Sequence, residues 1–249
     1  MKRALITGSS SGIGFAYAKL LSQKGWHLDL ISQNQERSQK ALHELAYTNC
    51  NTHICDLSSA ESLMNVINNI PLPDLIVANA GIGITGPVGK NNRDNIVDAS
   101  YLMFGGVIEL IEYYLPQMKI RNSGRVVIIS SIGALIPMPK SSIYAAVKSG
   151  VYAYGRSLNS ELKGNNVSVT VSLPGYVKTN IHKRAGLEHL TKKIPNWMWV
   201  SAEQVVKETE SASIKGSSKI IPGLLYRFTS VFFDLWITQY VWKIMNGRK

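Results

Sequence analysis

Short apolar runs alternate with stretches of helical period from the first residues onward, and this alternation restricts the chain to strands wound by crossover helices. Strands are expected near 3–7, 27–32, 50–54, 74–78, 125–130, 167–172 and 218–221. Helices are expected near 13–24, 35–46, 59–70, 92–120, 142–163, 201–215 and 224–245. The expected fold class is therefore α/β: a doubly wound parallel sheet of seven strands in three α/β/α layers. With 249 residues, 45% of them apolar, the chain can build one large core. It carries no internal repeat or dividing linker, so residues 1–249 read as a single domain. The stretch 176–200 lacks clean periodicity and reads as a substrate loop over the C-terminal edge of the sheet, where ligands of such sheets bind.

Charge and cysteine usage narrow the function. There are 27 Lys and Arg against 16 Asp and Glu, a net charge of +11, and residues 177–249 hold twelve of the basic side chains and five of the acidic ones. Such an excess suits a solvated basic surface, a phosphorylated cofactor, an acyl-CoA, an acidic acyl carrier protein or an anionic membrane surface. No stacking or groove-reading motif accompanies it, which disfavours nucleic acid. Cys50 and Cys55 have no second Cys/His pair at metal spacing, so no metal site is expected and both read as reduced thiols of a cytoplasmic chain. The opening MKRALITG holds too short an apolar run for an export signal.

The first strand runs into TGSSSGIG and then a helix, placing Thr7, Gly8, Ser10, Ser11, Gly12, Ile13 and Gly14 at a strand-to-helix turn. Glycines there let the backbone approach a pyrophosphate, whose charge meets the free amides and positive dipole of the helix start. The sheet is thus of the Rossmann type and holds a dinucleotide. After the third strand, Asp56 and Leu57 stand where a carboxylate can accept from an adenine amino group. After the fourth, Asn79, Ala80 and Gly81 offer a small backbone to the ribose. Cofactor choice turns on the end of strand two. Ser32 stands where a carboxylate would grip the ribose 2′-hydroxyl, and Gln33 follows it. Ser9, Ser10, Ser11, Asn34 and Arg37 are the candidate partners of a 2′-phosphate. NADP is accordingly preferred to NAD, which stays open.

Tyr144 and Lys148 are four apart in SSIYAAVKSG and share one helix face. Ser131 closes the strand RVVIISS and emerges at the same sheet edge as the glycine turn. A free phenol, with a pKa near 10, is poorly matched to neutral pH as a proton donor and acceptor. One positive charge at about 4 Å, with an effective dielectric of about 20, is worth roughly 4 kcal/mol, about three pKa units. An ammonium beside the phenol therefore brings it into working range, while a serine hydroxyl steadies charge on a substrate oxygen.

Together these residues resemble the short-chain dehydrogenase/reductase family over Lys2 to about Thr179. The landmarks are TGSSSGIG, the NAG at 79–81, the second serine of 130–131, YAAVK at 144–148 and PGYVKT at 174–179. The resemblance implies that Ser131, Tyr144 and Lys148 are catalytic, that Lys148 holds the ribose, and that Pro174, Gly175, Val177 and Thr179 border the nicotinamide. There is one departure. Many members carry an asparagine thirteen residues before the proline of the long helix, supporting a proton-relay water, and counting back from Pro116 reaches Met103. A relay through Ser100 or solvent would replace it.

The implied reaction is hydride transfer between NADP(H), or NAD(H), and a carbonyl or alcohol carbon of a fairly hydrophobic ketone, aldehyde or 3-oxoacyl substrate. The alternatives are a catalytically weak nucleotide-binding regulator and a peripheral membrane-associated reductase. Ile136, Pro137, Met138, Trp197, Met198 and Trp199 are expected either to wall the substrate or to serve ordinary packing. The aromatic tail at 224–245, with Phe228, Phe232, Trp236 and Tyr240 at helical spacing, is interrupted by Arg227 and Asp234 and is no membrane span. A membrane surface, a pocket cap and a homo-oligomer interface each suit it.

Overall fold

The computed structural model describes residues 1–45, 49–179 and 194–230. Seven strands form one sheet: β1 (Arg3–Thr7), β2 (His27–Ser32), β3 (Cys50–Ile54), β4 (Leu75–Ala78), β5 (Gly124–Ile129), β6 (Val167–Ser172) and β7 (Lys219–Ile220). Their order is β3-β2-β1-β4-β5-β6-β7, and every pairing is parallel. The helices are α1 (Gly12–Ser22), α2 (Gln35–Glu44), α3 (Ala60–Ile67), α4 (Arg93–Ser100), α5 (Gly106–Ile120), α6 (Ser142–Glu161), α7 (Ala202–Ile214) and α8 (Leu224–Thr229).

Side chains of a strand alternate between faces, so each strand feeds two cores. In β1, Ala4 and Ile6 join the core under α1 and α7, whereas Leu5 joins the one under α3, α5 and α6. In β5, Val127 and Ile129 face the first core, Val126 and Ile128 the second. This division produces the expected three layers. No helix among the described residues is long and apolar enough to cross a membrane.

A partly buried ion pair ties the first layer to the sheet. Arg125, at the start of β5, donates to Glu210 of α7 through both terminal nitrogens, at 2.9 and 3.1 Å. The Tyr17 hydroxyl of α1 donates to the same carboxylate at 2.8 Å. Arg125 also donates to Ser213 Oγ at 3.0 Å and lies 5.8 Å from the centre of the Trp26 ring. Burial, and then the Glu210 charge, push the Tyr17 phenol far above its ordinary range.

One expectation changes. The helix expected over 92–120 is two helices joined by a π-helical turn, Tyr101–Gly105. The Tyr101 ring lies against Gly105 and Gly106, where a Cβ would sit 3.2 and 3.1 Å from it, and two glycines weaken a regular α-helix at that point. The Tyr101 hydroxyl donates to Glu109 across the turn. Of the stretch 176–200, residues 180–193 lie outside the described ones. So does the tail beyond Ser230, with Phe232, Trp236 and Tyr240.

Candidate active site

Strand order reverses between β1 and β4, and the loops leaving these strands part there and open a crevice at the sheet's C-terminal edge. Thr7 and Asn79 hold its floor. The buried Thr7 Oγ1 accepts from the backbone amides of Asn79 and Ala80, at 2.9 and 3.0 Å. The Asn79 side-chain amide donates back to the carbonyls of Thr7 and Gly8, at 2.9 and 3.1 Å. Asn79 thus clamps the glycine turn, a task beyond the ribose contact expected of its backbone.

Gly8 and Gly12 adopt left-handed backbone, φ +65° and +59°, which side chains rarely tolerate. Gly14 stays behind the turn instead of lining the crevice, and a Cβ there would run into the Gly8 carbonyl, with its carbon 2.9 Å away. Gly14→Ala is therefore expected to push the turn off the start of α1 and weaken dinucleotide binding at least tenfold, as read by calorimetry. Unchanged affinity would show that the turn is not the phosphate cradle.

One cleft of about 280 Å³ runs from this turn to α6. Its nucleotide end is lined by Gly8, Ser10, Ser11, Gly12 and Ile13 from the turn, and by Ser32, Gln33 and Arg37 from the end of β2 and the start of α2. Asp56 and Leu57 follow from the β3 side, and Asn79, Ala80 and Gly81 from β4. Two of the polar candidates are otherwise engaged. Asn34 caps α2, accepting from the Arg37 amide at 2.8 Å, and does not line the cleft. Ser9 is buried and donates to the Ile31 carbonyl at 3.2 Å. Ser32 shares a hydrogen bond with Ser38, which fixes the hydroxyl at the end of β2. Asp56 accepts from the Ser58 amide and hydroxyl, at 3.0 and 2.8 Å. Neither cysteine forms a disulfide, and burial followed by the Asp56 charge pushes Cys55 up to about 11, far from a reactive thiolate.

The cleft is also lined by Ser131, Tyr144, Lys148, Pro174, Gly175, Val177 and Thr179, the last of which lies against Gly12, where a Cβ would meet its Cγ2 at 3.1 Å. Ser131 follows β5 and starts a 3-10 turn, its Oγ accepting from the Gly133 amide at 3.1 Å. A hydroxyl that accepts can still donate its own proton. One helical turn after Tyr144, Lys148 is 6% exposed, and its Nζ lies 5.9 Å from the centre of the Tyr144 ring. Nζ donates to the Ile129 carbonyl at 2.9 Å, and the Lys148 carbonyl accepts from Ser130 Oγ at 2.8 Å. Burial lowers the ammonium to about 8. The positive charge that the sequence assigns beside the phenol is therefore complete only below that pH in the protein alone.

The apolar residues expected either to wall the substrate or to pack divide between the two roles. Met138 lines the cleft, but Ile136 and Met198 are core residues, Trp197 is exposed, and Trp199 packs on Tyr176 with ring centres 5.6 Å apart. Ile82, Ile84, Leu102, Met103 and Tyr176 complete the wall with Met138. The run IGIT directly after NAG was its sequence signal. Tyr226 of α8 is a second residue the sequence did not single out. Its ring covers Gly175, its hydroxyl donates to the Met198 carbonyl at 2.7 Å, and it accepts from the Tyr176 amide at 3.2 Å.

Similarity to known proteins agrees with this geometry. Residues 2–189 match the family model described as short chain dehydrogenase. The chain is 29% identical over 233 residues to carbonyl reductase family member 4 of Xenopus laevis, covering 89% of this chain and 97% of that protein. It is 30% identical over 204 residues to the 3-oxoacyl-[acyl-carrier-protein] reductase FabG of Rickettsia felis, covering 78% and 81%. Its fold is shared with a short-chain dehydrogenase from Sphingobium yanoikuyae in complex with NADPH, at TM-score 0.83, 24% identity and coverage of 93% and 92%. It is shared too with a short-chain dehydrogenase/reductase from Burkholderia phymatum in complex with NAD, at TM-score 0.84, 20% identity and coverage of 100% and 95%. A parallel sheet with a glycine turn at its switch point and a family match over most of its length leave one conclusion: the chain belongs to the short-chain dehydrogenase family and is an oxidoreductase of the dehydrogenase/reductase type.

Proposed function

We propose that the protein moves a hydride between a nicotinamide dinucleotide, NADP(H) in preference to NAD(H), and a carbonyl or alcohol carbon of a fairly hydrophobic substrate, with Ser131, Tyr144 and Lys148 as the catalytic residues. The observation that carries this reading is that these three side chains, from two separate elements, line the same cleft as the glycine turn. Residues 1–249 work as one domain in it. The nicotinamide, when bound, supplies or accepts the hydride. Tyr144 gives its phenolic proton to the oxygen that becomes an alcohol, and takes one back in the reverse direction. Lys148 favours the phenolate by its charge, and its protons beyond the one given to Ile129 serve ribose hydroxyls. Ser131 donates to the substrate oxygen as charge builds on it. The wall of Ile82, Ile84, Leu102 and Met138 favours an apolar body next to the reacting carbon.

Preference for NADP rests on two residues. Ser32 brings no carboxylate to repel a 2′-phosphate, and Arg37 lines the cleft close in sequence to it. A hydrogen bond to a charged group is worth about 1.5–3 kcal/mol, roughly tenfold to a hundredfold in affinity. Calorimetry is therefore expected to show NADPH binding at least tenfold more tightly than NADH, with Arg37→Ala removing the difference. Tighter binding of NADH would overturn this assignment.

The activity is tested by following NADPH oxidation with small polar carbonyls, hydrophobic ketones and aldehydes, and 3-oxoacyl thioesters, the last because one relative is named for that substrate. Turnover is expected with the hydrophobic members and not with the small polar ones. NADPH binding without oxidation by any of them would contradict the reading and favour a nucleotide-binding regulator.

A further inference from the structure

We propose that Met103 is a positioning residue whose thioether covers one side of Lys148 at the rear of the cleft and keeps water from that side. The inference rests on the reading of Lys148 as a catalytic group, and its test is made without turnover. Gly81 marks the place that both side chains approach. A Cβ built on it would lie 3.4 Å from Met103 Sδ, 3.6 Å from Met103 Cγ and 3.7 Å from Lys148 Nζ. A thioether and an ammonium thus flank the same glycine, and both line the cleft. Met103 is 1% exposed.

The π-helical turn brings it there. Over three consecutive residues, Leu102 and Met103 reach the cleft, while Phe104 packs on α6, where a Cβ on Gly150 would come within 2.8 Å of its ring. Met103 also belongs to a small apolar cluster with Ile84, Ala99 and Val147, and Leu102, Phe104, Ile143 and Tyr144 pack against it. This cluster is separate from the two main cores and lies against the inner side of the catalytic helix. A thioether is only a weak hydrogen-bond acceptor, so Met103 offers Lys148 neither a strong partner nor an anchor for water.

Several elements surround Lys148 among the described residues. On its own helix the titratable neighbour is the Tyr144 phenol, and from the end of β5 come the Ile129 carbonyl and the Ser131 hydroxyl. From the loop after β4 comes Gly81, and from the π-helical turn Met103. Burial alone lowers the ammonium, with no charged neighbour contributing. A water or amide beside Nζ would favour the charged form and raise its pKa.

The test is an NMR titration of the lysine side-chain amines in the protein without cofactor, with the Lys148 signal assigned by its loss in Lys148→Met. In the wild type this signal is expected to titrate near pH 8. Met103→Asn admits a polar group and water, and is expected to move the midpoint up by about one unit or more, a tenfold gain in proton affinity. Met103→Gln, closer in size to methionine, is expected to do the same should Met103→Asn fail to fold. Met103→Leu keeps the site dry and is expected to leave the midpoint where it was. A residue that only filled space would let either polar variant titrate like the wild type. That result would overturn the proposal, as would a midpoint near the ordinary lysine value in the wild type, or a shift in Met103→Leu as large as in Met103→Gln. Absence of turnover with every carbonyl would sink the catalytic reading without moving these midpoints.

Discussion

Tyr144→Phe is expected to lower carbonyl reduction by about two to four orders of magnitude, the range lost with a positioned general acid, while NADPH still binds. The substitution removes one oxygen and leaves the ring against the apolar cluster that contains Met103 and Val147. The geometry of α6 and of Lys148 should therefore persist. The proton would then have to come from water, which lacks the phenol's fixed position and the neighbouring ammonium. Initial rates of NADPH oxidation, with calorimetry of NADPH on the same samples, separate lost chemistry from lost binding. Equal rates in the two proteins would remove Tyr144 from the mechanism.

Glu210→Ala is expected to cost about 1.5–3 kcal/mol of stability, because it leaves a partly buried arginine without its counter-charge and a buried phenol without its acceptor. Arg125 loses both of its bonds to the carboxylate, and the Tyr17 hydroxyl, on a fully buried side chain, loses its acceptor. One carboxylate thereby joins α1, α7 and β5. Glu210→Gln keeps a carbonyl acceptor and should cost less. Urea unfolding with an unchanged slope measures both, and a loss under about 1 kcal/mol for the alanine variant would show that solvent reaches Arg125.

The sheet was legible because its signal is local. Each apolar run falls within a residue or two of a strand, and β1 and β5 are apolar at successive positions because both of their faces meet a core. The glycine turn was legible because its backbone angles demand glycine at 8 and 12. Ser131, Tyr144 and Lys148 come to one cleft because the end of a strand and one face of a helix are predictable positions.

What escaped depends on side chains meeting across the fold. The π-helical turn arises from Tyr101 lying on Gly105 and Gly106 and bonding Glu109, which no hydrophobic period records. Asn34 and Ser9 had the right chemistry and lie near the phosphate end in sequence, yet a helix cap and a strand carbonyl claim their side chains. For Trp197 to Trp199 composition left a pocket wall and ordinary packing equally open, and the fold packs Met198 in the core and Trp199 on Tyr176. Tyr226 covers Gly175 from 51 residues away along the chain, a contact only the folded structure brings about.

The most direct measurement is a crystal structure with NADP+ bound. The account predicts the pyrophosphate on the glycine turn at the start of α1, and the reactive carbon of the nicotinamide beside Tyr144. A substrate carbon would then fit between the two at a reacting distance of about 3–3.5 Å, with the Ser131 hydroxyl and Lys148 Nζ turned toward the same space. A dinucleotide seated elsewhere, or a Tyr144 hydroxyl pointing away from the nicotinamide ring, would contradict it.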